Sequence, residues 1–179
     1  MSVITRTAAI AAVLLASACS GQPEVLEPDP TASTTPTSSL GPPTMPDEAR
    51  EDSESGAATF AYYWVSVSDF ASLTGNVEEL SRISAESCGA CSEYIELYEE
   101  TYRKGGKFTG GQQDFGEVTT ERVSDREVVV RAKVTLAKGT YQDSRESAAK
   151  DVAGSTTKVA YRVARVGSTW LMKEFAVDE

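Results

Sequence analysis

Between residues 56 and 73 the large apolar side chains return at helical spacing. Phe60, Tyr63, Trp64, Val67, Phe70 and Ala71 fall together, with polar positions such as Ser66 and Asp69 between them, which is the pattern of an amphipathic helix. A competing strand-like alternation, Val65-Ser66-Val67-Ser68, runs through its middle. Asn76 followed by Val77, Glu78 and Glu79 predicts a second, short helix to about residue 83, with Asn76 as its cap and Glu79 reaching back. A third helix is predicted over 92–103, where Ile95, Tyr98 and Tyr102 share a face and Gly105-Gly106 closes the end. After Gly111 the period changes to two. Along 128–136 the even positions are Val128, Val130, Ala132, Val134 and Leu136, while Glu127, Arg131, Lys133 and Thr135 occupy most of the odd ones; this is a strand with one dry face. A strand over 115–123 precedes it across a Ser124-Asp125 turn. Strands over 157–166 and 169–177 meet at Gly167-Ser168, a pair suited to a two-residue type II′ hairpin. Three helices and then about four antiparallel strands, with the helices on one face of the sheet, predict an α+β domain over residues 47–179.

The N-terminal segment has a different pattern. Arg6, an apolar run over 8–16 and then Ser17-Ala18-Cys19 follow the order of a secretory signal over 1–18, and the run is far short of the roughly 20 residues that span a bilayer. Leu14-Leu15-Ala16-Ser17-Ala18-Cys19 resembles a lipobox, with Ala16 where Leu is usual. That resemblance implies cleavage before Cys19, fatty acylation of its thiol and amine (diacylglyceryl and palmitate groups), and a protein held on the outer face of the cell membrane. Two or more acyl chains make such an anchor stable.

Residues 20–46 are rich in Pro, Ser and Thr, and all seven prolines of the chain lie between Pro23 and Pro46. Such a composition cannot bury enough apolar surface to offset its ordering entropy; the segment is expected to be a tether, spanning about 30 Å as a coil and about 80 Å if extended. The chain carries 17 Lys and Arg against 27 Asp and Glu, a net charge of −10. This acidity repels phosphate backbones and anionic lipid headgroups, so nucleic acid is not an expected partner. The charged odd face of the 128–136 strand favours a monomer.

The order of elements, the Trp170 strand near the end and the terminal Phe175-Ala176-Val177 resemble the NTF2-like (cystatin-like) cone. Pro42-Pro43-Thr44-Met45-Pro46, Thr74-Gly75-Asn76 after the aromatic helix, Cys88-Gly89-Ala90-Cys91 and Gly105-Gly106-Lys107 are similar to a family of uncharacterised actinobacterial lipoproteins. These resemblances imply location and fold, and no activity. In that fold a bent sheet and its helices enclose a conical pocket that some members use for catalysis, some for ligand binding and many for neither.

No histidine is present, which removes the commonest general base, the commonest zinc ligand and every Ser-His or Cys-His pair. Gly105-Gly106 and Gly110-Gly111 lack the spacing and setting of phosphate loops. Cys88 and Cys91 form a CxxC. In an exported protein this reads first as a structural disulfide; a redox site lacks the preceding strand and facing proline it needs, and two thiolates without histidine leave a zinc site incomplete. Tyr63, Trp64, Phe70, Tyr98 and Tyr102 serve first as core and second as lining of a pocket. Asp69 and Asp114 are the candidate carboxylates facing a cone, neither within a motif, so no catalytic residue, metal or cofactor is assigned. The sequence thus predicts a non-catalytic binding or interaction module contacting an unknown envelope protein or small ligand, the alternative being a small-molecule carrier or an enzyme that uses the cone.

Overall fold

The computed structural model describes residues 41–178; the signal segment, Cys19 and the tether up to residue 40 lie outside them. A short 3₁₀ turn, Asp47–Arg50, precedes α1 (Glu54–Thr74), α2 (Glu78–Arg82) and α3 (Gly89–Arg103). Seven strands follow: β1 (Lys107–Gly110), β2 (Gln113–Ser124), β3 (Glu127–Leu136), β4 (Gly139–Gln142), β5 (Lys150–Val152), β6 (Ser155–Val166) and β7 (Thr169–Val177). The four long strands form an antiparallel sheet in the order β2-β3-β6-β7, and β1-β4-β5 form a second, three-stranded one. Helices on antiparallel sheets make this an α+β domain. Among the described residues no helix is long and apolar enough to cross a membrane.

α1 is the axis of the domain. Ser53 caps it, its hydroxyl accepting from the Gly56 N–H at 2.9 Å, and Gly75 ends it with φ +75°, a conformation that suits glycine. Val65 and Val67 are both buried, as are Phe60, Tyr63 and Trp64. The strand-like alternation in the sequence therefore reflects a helix covered on more than one side rather than a strand. At α2, Asn76 Oδ1 accepts from the Glu78 N–H at 3.1 Å. Glu79 does not reach back to complete a capping box: its carboxylate accepts from the Tyr63 hydroxyl at 2.6 Å and from Arg82. A buried phenol gains more from that charged acceptor than an exposed N–H would.

α3 begins three residues before the position predicted from the sequence. Cys88 is its N-cap, with the sulfur accepting from the Cys91 N–H, and the two cysteines are joined by a disulfide across the first turn. Cysteine is not a usual cap, so Ser92 looked like the start. The ring is short, and chain-entropy arguments give it only about 1–2 kcal/mol. Replacing both cysteines by Ser should therefore lower the melting temperature by a few degrees in a thermal scan and leave the unfolding transition cooperative.

The main sheet follows the predicted alternation. Val128, Val130, Ala132 and Val134 are buried on β3, and Tyr161, Val163, Trp170 and Met172 continue that inner face on β6 and β7. Gly167, the first central residue of the β6–β7 hairpin, has φ +61°, as either primed turn requires. On the outer face Arg131 pairs with Glu121 and Asp178, and Arg162 with Glu127 and Glu174, so much of its charge is matched within the sheet. Packed residues begin before Asp47: Met45 is 8% exposed and belongs to the core with Ala49. Arg165 fastens the 3₁₀ turn by donating to the Arg50 carbonyl at 2.7 Å, and the Trp170 indole donates to that of Glu51 at 2.9 Å.

Candidate functional site

The helices, the inner face of the main sheet and the second sheet do not close on one another. They enclose a cavity of about 550 Å³, within the roughly 300–1,000 Å³ of small-molecule sites. α1 contributes Trp64, Asp69 and Ser72, α3 contributes Tyr94, Leu97 and Tyr98, and Thr157, Tyr161 and Phe175 rise from β6 and β7. β1 and β4 form a further part of the wall, where Gly110 pairs with Gly139, and Gln113, Val134, Leu136 and Val152 complete it from β2, β3 and β5. A Cβ on Gly139 would lie 2.6 Å from the Thr109 carbonyl oxygen, so the two strands meet there backbone to backbone. Tyr94, Leu97 and Val177 are exposed as well as lining, and form an apolar rim.

The interior is aromatic. The Phe175 ring touches Trp64, Tyr94 and Tyr161 with centroids 5.1, 5.3 and 6.2 Å away, and Tyr98 meets Tyr94 and Phe108 edge-on. Trp64 is held from behind, its indole N–H donating to Ser84 Oγ at 2.9 Å. Tyr98 shares a hydrogen bond with Ser68 at 3.2 Å. Among the described residues the Tyr161 hydroxyl has no hydrogen-bond partner, and the residue lines the cavity. Burial holds the Tyr98 and Tyr161 phenols well above their ordinary range, so both are neutral at every physiological pH.

Among the described residues, Asp69 is the one charged side chain of the lining. Its carboxylate accepts from the Gln113 backbone N–H at 2.9 Å and from the Gln113 amide at 3.3 Å. Burial nevertheless raises it from 3.8 to about 6, outweighing the two bonds from Gln113 that favour the ion. A carboxylate has room for about four hydrogen bonds, so capacity remains for a group inside the cavity. A carboxyl poised near 6 can accept or give a proton, or face a cation.

Of the sequence candidates, Trp64, Tyr98 and Asp69 come together here. Tyr63 turns away to Glu79, half-buried Phe70 is not part of the wall, and Tyr102 packs its ring on Gly75 while donating to the Ser72 carbonyl at 2.9 Å. Asp114 is exposed on β2, on the opposite side of the strand from Gln113. The sequence reading missed Tyr94, Gln113, Phe108 and Tyr161. Two signals could have found the tyrosines: Tyr94 and Tyr98 are one helical turn apart, and Tyr161 sits between Val159 and Val163 on the dry side of β6.

Helices laid on antiparallel sheets around an open, aromatic cavity define an α+β cone with room for a small molecule. The chain belongs to DUF6318, a family of unknown function, whose family model matches residues 29–176. No curated protein matches it. Among solved structures it is similar to the intermembrane space region of the chloroplast protein ARC6 (14% identity, TM-score 0.52, 70% of this chain and 95% of that one). It is also similar to an NTF2-like protein of unknown function in nutrient uptake from Rhodospirillum rubrum (16% identity, TM-score 0.44, 62% and 89%). A third is an uncharacterized protein with a cystatin-like fold from Caulobacter vibrioides (8% identity, TM-score 0.43, 70% and 88%). At these identities the likeness is one of fold.

Proposed function

We propose that this protein is a module, lipid-anchored on the outer face of the cell membrane, that binds a small molecule in its cone. One observation carries the reading: the cone is hollow, with about 550 Å³ between walls built largely of apolar and aromatic side chains. The cavity opens to solvent at its rim, and an apolar cleft with a few convergent polar groups is the usual form of a ligand site. The anchor rests on the lipobox-like run ending in Cys19, and the tether would hold the cone clear of the lipid. A binding role on an envelope protein is favoured over a docking surface on the sheet because the outer-face arginines already have partners.

The test has two parts. In a bacterial host that lipidates exported proteins, the wild-type chain should sediment with membranes and Cys19→Ala should be released; retention of the variant overturns the anchor. The released protein, measured by native mass spectrometry, should carry a small molecule or take one up from an extract of its host. A protein that arrives bare and stays bare through that extract has no ligand in the cone, and the reading fails. A second reading, acid–base catalysis, is favoured by one feature, the Asp69 carboxyl near 6 in a cavity shared with the Tyr161 hydroxyl. Turnover with a pH profile breaking near 6 and lost in Asp69→Asn would establish it.

A further inference from the structure

Resting on the binding role above, we propose that the cone takes an organic cation: a molecule with an aromatic or aliphatic body and an ammonium group that sits against the Asp69 carboxylate among the tyrosine rings.

The charge of the lining is one-sided. Among the described residues no Lys or Arg reaches the cavity wall, so a carboxylate or phosphate ligand would meet no counter-ion there and would face Asp69 as a like charge. A neutral ligand would fit the apolar walls but would bring no counter-charge to the acidic side chain. Gln113 donates to both carboxylate oxygens, which ties β2 to α1, but these neutral donors carry no positive charge. Asp69 makes no salt bridge with any described residue, and its two bonds, both from Gln113, do not neutralise it. Half-burying a carboxylate without a cation is costly. The cost becomes useful when the missing cation is the ligand.

The surroundings suit that cation. Tyr94, Tyr98, Tyr161 and Phe175 line the same space, and aromatic faces attract ammonium groups, more strongly when water is excluded. Outside the rim, α3 exposes Glu93, Glu96 and Glu99 on the helix that also supplies Tyr94 and Leu97. In a chain of net charge −10 this favours the approach of positive molecules over negative ones.

Binding should be coupled to pH through Asp69. The other titratable groups facing it are Tyr94 and Tyr98 from α3 and Tyr161 from β6; the lining residues of β1, β2, β3, β4, β5 and β7 carry none. Tyr98 and Tyr161 stay protonated, so the change in charge between pH 5 and 8 comes from Asp69, whose carboxyl loses its proton at about 6. A cation requires the ionised form. Its affinity is therefore flat above about pH 7 and falls by about tenfold for each pH unit well below 6. A ligand that accepts a hydrogen bond from the protonated acid would show the reverse.

Three probes with one ring system separate the possibilities: tryptamine (cation), tryptophol (neutral) and indole-3-propionate (anion). They are titrated calorimetrically into the full chain with its disulfide intact. At pH 7.5 tryptamine should bind at least tenfold more tightly than tryptophol, with indole-3-propionate weakest, and at pH 5 the tryptamine affinity should be about tenfold lower. Asp69→Asn should bring tryptamine to the level of tryptophol. The pH series on the unaltered chain provides the same test should the variant fold poorly. Equal affinities, a preference for the carboxylate, a tryptamine affinity independent of pH or one that survives Asp69→Asn each overturn the cation. If none of the three binds, the cation proposal falls as well, while the binding role itself is decided separately by the mass measurement above.

Discussion

Replacing Trp64 by Ala is expected to destabilise the domain by about 3–5 kcal/mol, the cost of removing a buried indole from a packed site. Trp64 is 2% exposed and lies where α1 meets both the sheet and the α2–α3 connection. On one side its ring packs on Phe175 with centroids 5.1 Å apart. On the other its N–H donates to Ser84 Oγ, which in turn donates to the Leu80 carbonyl at 2.7 Å, and Ser84 bridges to Met172 of β7. Deleting the indole unfastens this chain of contacts and extends a cavity that already exists, so little is available to collapse into the gap. For a domain of this size each kcal/mol is worth roughly 3–4 °C, and the melting temperature should fall by more than about 10 °C. Trp64→Phe keeps a ring and loses only the N–H bond and some area, and should cost about 1–2 kcal/mol. Thermal and urea unfolding of the pair read both effects. A Trp64→Ala chain within 1 kcal/mol of wild type would mean that α1 is not held by this contact.

The long elements were legible because each repeats its period several times. β3 shows its dry face over five residues, and the β6–β7 hairpin announces itself at Gly167. The second sheet was not legible, for a physical reason: β1, β4 and β5 are three or four residues each, too short to express an alternation. The pairing of β1 with β4 also joins segments far apart in the chain, Phe108 with Tyr141 for example. Met45 was hidden in the same way, as one apolar residue within a proline-rich stretch whose average composition is that of a tether. For the site, the sequence supplied an aromatic inventory and two acids, and neither says whether a cone is filled or empty. That depends on where the rings stand: Tyr63 and Tyr102 spend theirs against Glu79 and Gly75, which leaves the centre open. The choice between Asp69 and Asp114 likewise depends on register, since Gln113 faces the cavity and its neighbour therefore cannot.

Asp69→Asn should raise stability near neutral pH, by about 2 kcal/mol. The acid stands at 3.8 when unperturbed and at about 6 in the folded domain. At about 1.4 kcal/mol per pH unit this is a penalty of up to about 3 kcal/mol, which access to solvent through the open rim reduces to about 2. The sign follows from the order of ionisation. Below about pH 4 both states are protonated and the group contributes nothing. Between about 4 and 6 the unfolded chain ionises first, so the folded state loses ground as pH rises, and above about 6 the loss is complete. An Asn at this position has nothing to ionise; its one oxygen keeps the bond from the Gln113 N–H, and the longer bond from the Gln113 side chain is lost or reversed by turning that amide round. The variant should therefore match wild type near pH 4, pull ahead through pH 5 and stay roughly 5–8 °C higher in melting temperature from pH 7 upward. A variant less stable than wild type at pH 7.5 would show instead that the charge on Asp69 holds β2 to α1 more strongly than its burial opposes it. Measured beside the probe titrations, the variant separates two roles: a chain that folds better and no longer distinguishes tryptamine from tryptophol would assign the carboxylate to the cavity, and one that folds worse would assign it to the link between β2 and α1.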